Sequence, residues 1–262
     1  MENLKKTHYW LNFQFNDHDS VTTPRQARAV ELIKNTQLAI QVAAPVGCSD
    51  TTIIIQQENL VSTVHPPSLL STPFARITSF AHVSIEEVRT IIAGVHSAFH
   101  RKLTRLINPL QFLQLGLESR HEYISTFMWV TALDSLLMAG NTSLFAERLT
   151  TILGPDTYVL PAIDPGGQPS FRIADIVEDL YEFRSVIAHG KVIPDKFLST
   201  SELVNTSGEI ITSYPPKSRY SQMMQESSLF LLTTVLRKIF VNGLIPTFTG
   251  MKSWKDRMKK PF

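Results

Sequence analysis

Arg184 and His189 lie five positions apart in the run Tyr181-Glu182-Phe183-Arg184-Ser185-Val186-Ile187-Ala188-His189-Gly190. An arginine carries a permanent charge whose planar fork suits phosphate, and a histidine titrates near neutrality and moves protons. Cleaving a phosphodiester beside a ribose 2′-hydroxyl needs a base, an acid, and positive charge on the phosphorane formed by 2′-oxygen attack. That set of groups works without a metal. One chain has one such histidine; two chains facing each other across a twofold axis would offer two histidines and two arginines. On an ideal helix, positions five apart differ by about 140° in azimuth, so the long Arg184 side chain must bend to meet His189. The bland alternative is an arginine paired with a carboxylate and a histidine that caps its own helix.

The elements around this pair read as helices. The pair ends an apolar helix from about Ser170 to His189, and Gly190 stands where a helix commonly closes with a left-handed residue. Upstream, Ser84-Ile85-Glu86-Glu87 has the form of a capping box. Behind it Ile85, Val88, Ile92, Val95, Phe99, Leu103 and Leu106 make one stripe of a long amphipathic helix. A second long helix is expected from about Leu117 to Ala139, closed by Gly140-Asn141, and a shorter one over Thr142 to Leu153. A final helix is expected from about Ser218 to Asn242. Pro/Gly-rich chain fills residues 154–169, and residues 191–217 read as an irregular excursion with a hairpin near Asn205-Thr206-Ser207-Gly208. Short links between helices favour an up-and-down bundle.

The front of the chain has a different texture. Trp10 to Phe15 alternates with the period of a strand; Pro24 to about Leu38 suits a short helix; Gln37 to Ala43 and Thr51 to Gln56 read as further strands. His65-Pro66-Pro67 and Thr72-Pro73 mark a linker. The expected organisation is an α/β segment over 1–79, a helical domain over 80–245 and a basic tail over 246–262.

On these residues the chain resembles the HEPN superfamily, and within it the ApeA-like branch. The resemblance rests on Ala132-Leu133-Asp134-Ser135-Leu136-Leu137, then Phe145-Ala146-Glu147-Arg148-Leu149, then Leu180-Tyr181 leading through Arg184-Ser185 to His189-Gly190. It covers roughly residues 117–242. Asp134 departs from the glutamate more usual at its position, a side chain shorter by one methylene. The resemblance implies a mainly α fold, a HEPN-type up-and-down helical bundle, to which the front adds a small β-containing segment. It implies a metal-independent endoribonuclease without cofactor, acting as a homodimer whose Arg-His helices face each other, in antiphage or toxin–antitoxin settings with an antitoxin or defence-complex partner. Carried onto this chain, Arg184 takes the scissile phosphate and His189 transfers protons. Ser185 positions substrate or histidine, Tyr181 stacks a base or packs, and the products carry 2′,3′-cyclic phosphate and 5′-hydroxyl ends. The alternative is a non-catalytic HEPN subunit that binds RNA or nucleotide or serves assembly.

Other residues admit two readings each. Asp134 lies in a strongly apolar helix, where an unpaired carboxylate is costly, and Arg148 or Arg184 is the expected partner. Arg101, Lys102, Arg105 and Lys191 are candidates to line an RNA path, with a solvated face as the default. His96 and His100 have the spacing of a helical zinc pair, yet no third ligand is evident, and no metal is expected. Trp10, Trp129 and Trp254 suit core or interface anchors rather than platforms for bases.

Composition bounds the rest. The chain has 262 residues, 43% of them hydrophobic, which is ample for a packed core. Cys48 is the single cysteine, which permits no disulfide within the chain and fits a reducing cytoplasm. No apolar run follows Met1-Glu2-Asn3-Leu4-Lys5-Lys6, so no signal peptide is expected. The apolar stretch Tyr123 to Gly140 contains Asp134 and several hydroxyls, which suits a core helix better than a membrane span. Overall charge is +2, but residues 237–262 hold seven Lys/Arg against Asp256 alone, so that end is +6 and the remainder −4. Such an end suits nucleic acid or an acidic partner, or else simple solvation.

Overall fold

The computed structural model describes residues 25–44, 53–57, 60–64, 83–119, 121–157, 159, 172–194, 197, 203–204, 210–212, 218–244, 254 and 256–257. The described chain is a mainly helical bundle. Its helices are α1 (Arg25–Ala43), α2 (Ile85–His100), α3 (Thr104–Glu118), α4 (Glu122–Leu137), α5 (Thr142–Leu153), α6 (Ile173–Ala188) and α7 (Ser218–Val241). Two short antiparallel pairs accompany them: β1 (Ile53–Gln57) with β2 (Leu60–Val64), and β3 (Leu203–Val204) with β4 (Ile210–Thr212). The expected strand at Trp10 to Phe15, the proline linker and Lys252, Lys255, Lys259 and Lys260 of the basic tail lie outside the described residues.

The centre is α4, which is apolar on every side and buries Trp129, Val130, Leu133, Leu136 and Leu137 among others. A helix with no polar face needs neighbours all round. It has them: α3, α5, α6 and α7 all pack against α4, while α1 lies along α2 and α7. The closest partnership, α3 with α4, depends on Gly116. A Cβ there would stand 2.3 Å from the Trp129 Nε1. Without it the indole comes close against the α3 backbone and donates its N–H to the Leu113 carbonyl at 3.1 Å.

Three expectations about element bounds need correction. Residues 37–43 are helical, not a strand, because α1 runs on to Ala43. Leu38, Ala39, Val42 and Ala43 supply a helical stripe to the common core, and this burial outweighs β propensity. The long helix expected through Leu106 stops at His100. Lys102 turns left-handed at φ 54. The Lys102 amide then reaches the Phe99 carbonyl and the Leu103 amide reaches Ala98, the paired closure of a Schellman motif. The expected helix from Leu117 to Ala139 is likewise two, with α3 ending at Glu118 and α4 beginning at Glu122. The stripe also turns: Ile85 is exposed, and α2 buries Ile91, Gly94, Val95 and Ala98. The Ser84 capping box and the span of α5 match their sequence expectations.

His96 holds α1 to α2. Its Nε2 lies 2.9 Å from the Thr36 hydroxyl, which itself donates to the Leu32 carbonyl at 2.9 Å. The hydroxyl proton being used, Nε2 must be the donor. Burial lowers the pKa of this imidazole from its ordinary value of 6.5.

Two outcomes follow from this packing. Gly116→Ala is expected to cost about 1–3 kcal/mol in urea or thermal unfolding, since the indole must leave its carbonyl to make room; unchanged stability would show that Trp129 is free to move. Because the folded His96 pKa lies below the unfolded one, stability is whole above about pH 6.5 and declines as pH falls through and below that value. Melting temperatures from about pH 7.5 to about pH 5.5 should therefore fall more steeply for the natural chain than for His96→Gln.

Candidate active site at the end of the central helix

The arginine-histidine helix is α6, and it ends as its sequence suggests. Gly190 is left-handed at φ 61. Its amide reaches the Ile187 carbonyl at 3.1 Å, and the Lys191 amide reaches Val186 at 3.0 Å. A residue with a Cβ pays a steric cost in that conformation, which explains the glycine. His189 is thereby left as the C-cap, exposed at the tip of α6, with Lys191 also exposed beside it. Ser185, one turn earlier, is half-buried and accepts the His189 amide with its carbonyl.

Arg184 points elsewhere. Its Nη2 pairs with Asp134 Oδ2 of α4 at 3.1 Å, and the two side chains retain 24% and 11% of their exposure. The other carboxylate oxygen of Asp134 accepts the Gly140 amide at 3.1 Å. One acidic side chain therefore ties α6 to the turn between α4 and α5. Of the two partners expected for Asp134, Arg184 is the one the fold supplies. The guanidinium also lies over the ring of Tyr181, 5.7 Å from its centroid. Its Nε is buried with no hydrogen-bond partner among the described residues.

Tyr181 packs; it is not displayed as a platform for a base. The residue is buried, and its ring meets Phe145 at 5.2 Å. Burial first, and then the Asp134 carboxylate, push its hydroxyl above the ordinary pKa of 10.0, while Arg184 works against them. At neutral pH the phenol is consequently a neutral donor and no base.

Arg148 closes the end of α4. Its Nη1 donates to the Leu137 and Met138 carbonyls, each at 2.6 Å. Met138 itself is left-handed at φ 51, and its amide returns to the Asp134 carbonyl. Trp254, buried in the C-terminal segment, donates its indole N–H to the Leu136 carbonyl. Arg105, from the first turn of α3, sets its Nη1 3.3 Å from the Met138 sulfur. The sequence puts Arg105 on a basic face but carries no sign of this helix end; the left-handed turn at Lys102, which has no glycine to announce it, is what directs α3 there. Arg101 and Lys102 remain exposed in that same turn.

The structure thus brings Asp134, Tyr181 and Arg184 together, adds Arg105 and Arg148 to the same end of α4, and leaves His189 and Lys191 at the tip of α6. Among the described residues no group of three or more His, Cys, Asp or Glu could hold a metal ion. No helix among them is long and apolar enough to cross a membrane. Chemically, the arrangement offers a fixed guanidinium, a neutral phenol and a solvent-accessible imidazole. No protein-family model, curated protein or solved structure matches the chain.

The Asp134–Arg184 pair can be weighed directly. Asp134→Ala strands a mostly buried guanidinium and frees the Gly140 amide, with an expected loss of about 2–4 kcal/mol. Asp134→Asn keeps an acceptor for Gly140 and should lose less. A double-mutant cycle with Arg184→Met should give a coupling of about 1 kcal/mol or more in denaturant melts; a coupling of zero would show that the pair contributes nothing.

Proposed function

We propose that this protein is a metal-independent endoribonuclease of the HEPN type, acting as a homodimer. The observation that supports it best is the accessible imidazole of His189 at the end of α6, next to a helix turn whose Arg184 is fixed by Asp134. A guanidinium held by a carboxylate loses little freedom on meeting a phosphate. In the proposed reaction one His189 takes the proton of the ribose 2′-hydroxyl. The 2′-oxygen forms its bond to phosphorus, the bond to the 5′-oxygen breaks, and the departing oxygen takes a proton from His189 of the second copy. Arg184 balances the charge that builds on the non-bridging oxygens. The ends produced are a 2′,3′-cyclic phosphate and a 5′-hydroxyl. Ser185 positions the substrate or the histidine, and Lys191, Arg101 and Lys102 guide the RNA backbone.

We place this activity in the cytoplasm, in an antiphage-defence or toxin–antitoxin effector restrained by a partner protein. A second reading is favoured by one observation: Arg184 already has a carboxylate and an aromatic face as partners. On that reading the bundle is a non-catalytic subunit that binds RNA or nucleotide, or serves assembly.

The two readings separate in one experiment. Purified protein is incubated with RNA in excess EDTA, and the natural chain is compared with His189→Ala and Arg184→Ala. Cleavage by the natural chain alone, slowed about 100-fold or more in each variant, is the expected result. Equal cleavage by all three, dependence on added metal, or no cleavage at all rejects the nuclease. RNA binding that survives both substitutions without cleavage selects the second reading.

A further inference from the structure

Three guanidiniums from three helices meet on the last turn of α4, and their partners are unequal. Arg148 is consumed by the Leu137 and Met138 carbonyls. Arg184 is paired with Asp134. Arg105 has only the thioether of Met138 as a hydrogen-bond partner among the described residues. A thioether is a weak acceptor, and a guanidinium presents five N–H groups. The position of Arg105 serves its own helix poorly as well. It lies in the first turn of α3, where the helix dipole disfavours a cation. Its favourable field comes from the opposite end of another helix, the C-terminus of α4.

Charge leaves room for a ligand. Among the described residues Asp134 is the one carboxylate paired with these three cations, and a helix C-terminus adds only about half a negative charge. The contacted residues run from Asp134 to Met138, about one helical turn, so Arg105 and Arg184 lie within reach of neighbouring groups on one extended polyanion. The Nε of Arg184 is buried and has no hydrogen-bond partner among the described residues.

We propose that Arg105 holds the backbone phosphate adjacent to the one held by Arg184, so that single-stranded RNA is gripped at two successive phosphates across the end of α4. The inference rests on the ribonuclease reading above and deepens it. Single-stranded RNA is the fitting ligand because attack by a 2′-oxygen in line with its leaving group needs a backbone free to turn. Arg101 and Lys102, exposed in the turn that leads into Arg105, continue the positive path.

The test uses the full chain carrying His189→Ala, a fluorescent single-stranded RNA of mixed sequence, and anisotropy titrations over a range of salt. Adding Arg105→Gln should weaken binding roughly 5- to 20-fold and lower the log–log salt slope by about 0.7, the loss of one phosphate contact. Arg89→Gln, which removes an exposed arginine paired with Glu86 on α2, should change neither. Should Arg105→Gln fail to melt cooperatively, Arg105→Lys is read in its place: it should keep the slope and lose affinity with the fork. Unchanged affinity and slope in Arg105→Gln, or unchanged affinity in the lysine variant, overturns the inference and leaves the nuclease standing if the natural chain still cleaves RNA. Absence of both binding and cleavage overturns both.

Discussion

The last turn of an α-helix leaves carbonyls that the helix itself cannot satisfy, and in this protein the end of α4 is satisfied from far along the chain. Arg148 supplies Leu137 and Met138, Trp254 supplies Leu136, and the Asp134 carboxylate gathers the Gly140 amide and Arg184. Because α4 is the apolar centre of the bundle, its end is a fixed point to which α5, α6 and the C-terminal segment are all tied. The dipole at a helix C-terminus also favours the arginines collected there. Placement of Arg184 is therefore a by-product of finishing a helix, and the chemistry available to that arginine begins from a position the fold already enforces.

The same economy bears on the two readings of function. Pairing with Asp134 uses one edge of the Arg184 guanidinium and leaves others, so a structural role and a phosphate contact are compatible in one side chain. His189 has no comparable double duty. It sits as the C-cap of α6 because Gly190 takes the left-handed position behind it, and its ring faces solvent. Order in one member of the pair and openness in the other is what a site completed by a second copy would require.

Much of the helical part could be read from residue types. The Ser84 box and the closing Gly190 are local chemistry, and local chemistry survives folding. Where the reading failed, the deciding signal was tertiary or lacked its usual residue. Lys102 adopts left-handed backbone without being glycine, so the end of α2 was invisible. Residues 37–43 look like a strand until the core that buries one of their faces is known. At the site, apolar surroundings announced that Asp134 needs a cation, and two arginines were eligible. Which one, and the arrival of Arg105 at the same turn, depended on how α3 and α6 cross α4, and no spacing along the chain encodes that.

The bond from Trp254 to Leu136 spans 118 residues. Contacts so remote in sequence form late, since a long loop must close before they return any stability. During translation, a nascent polypeptide already long enough to contain both Arg184 and His189 still lacks the indole that seals the neighbouring helix end. The end of α4 is therefore completed only once Trp254 has been synthesised, after all seven helices described above.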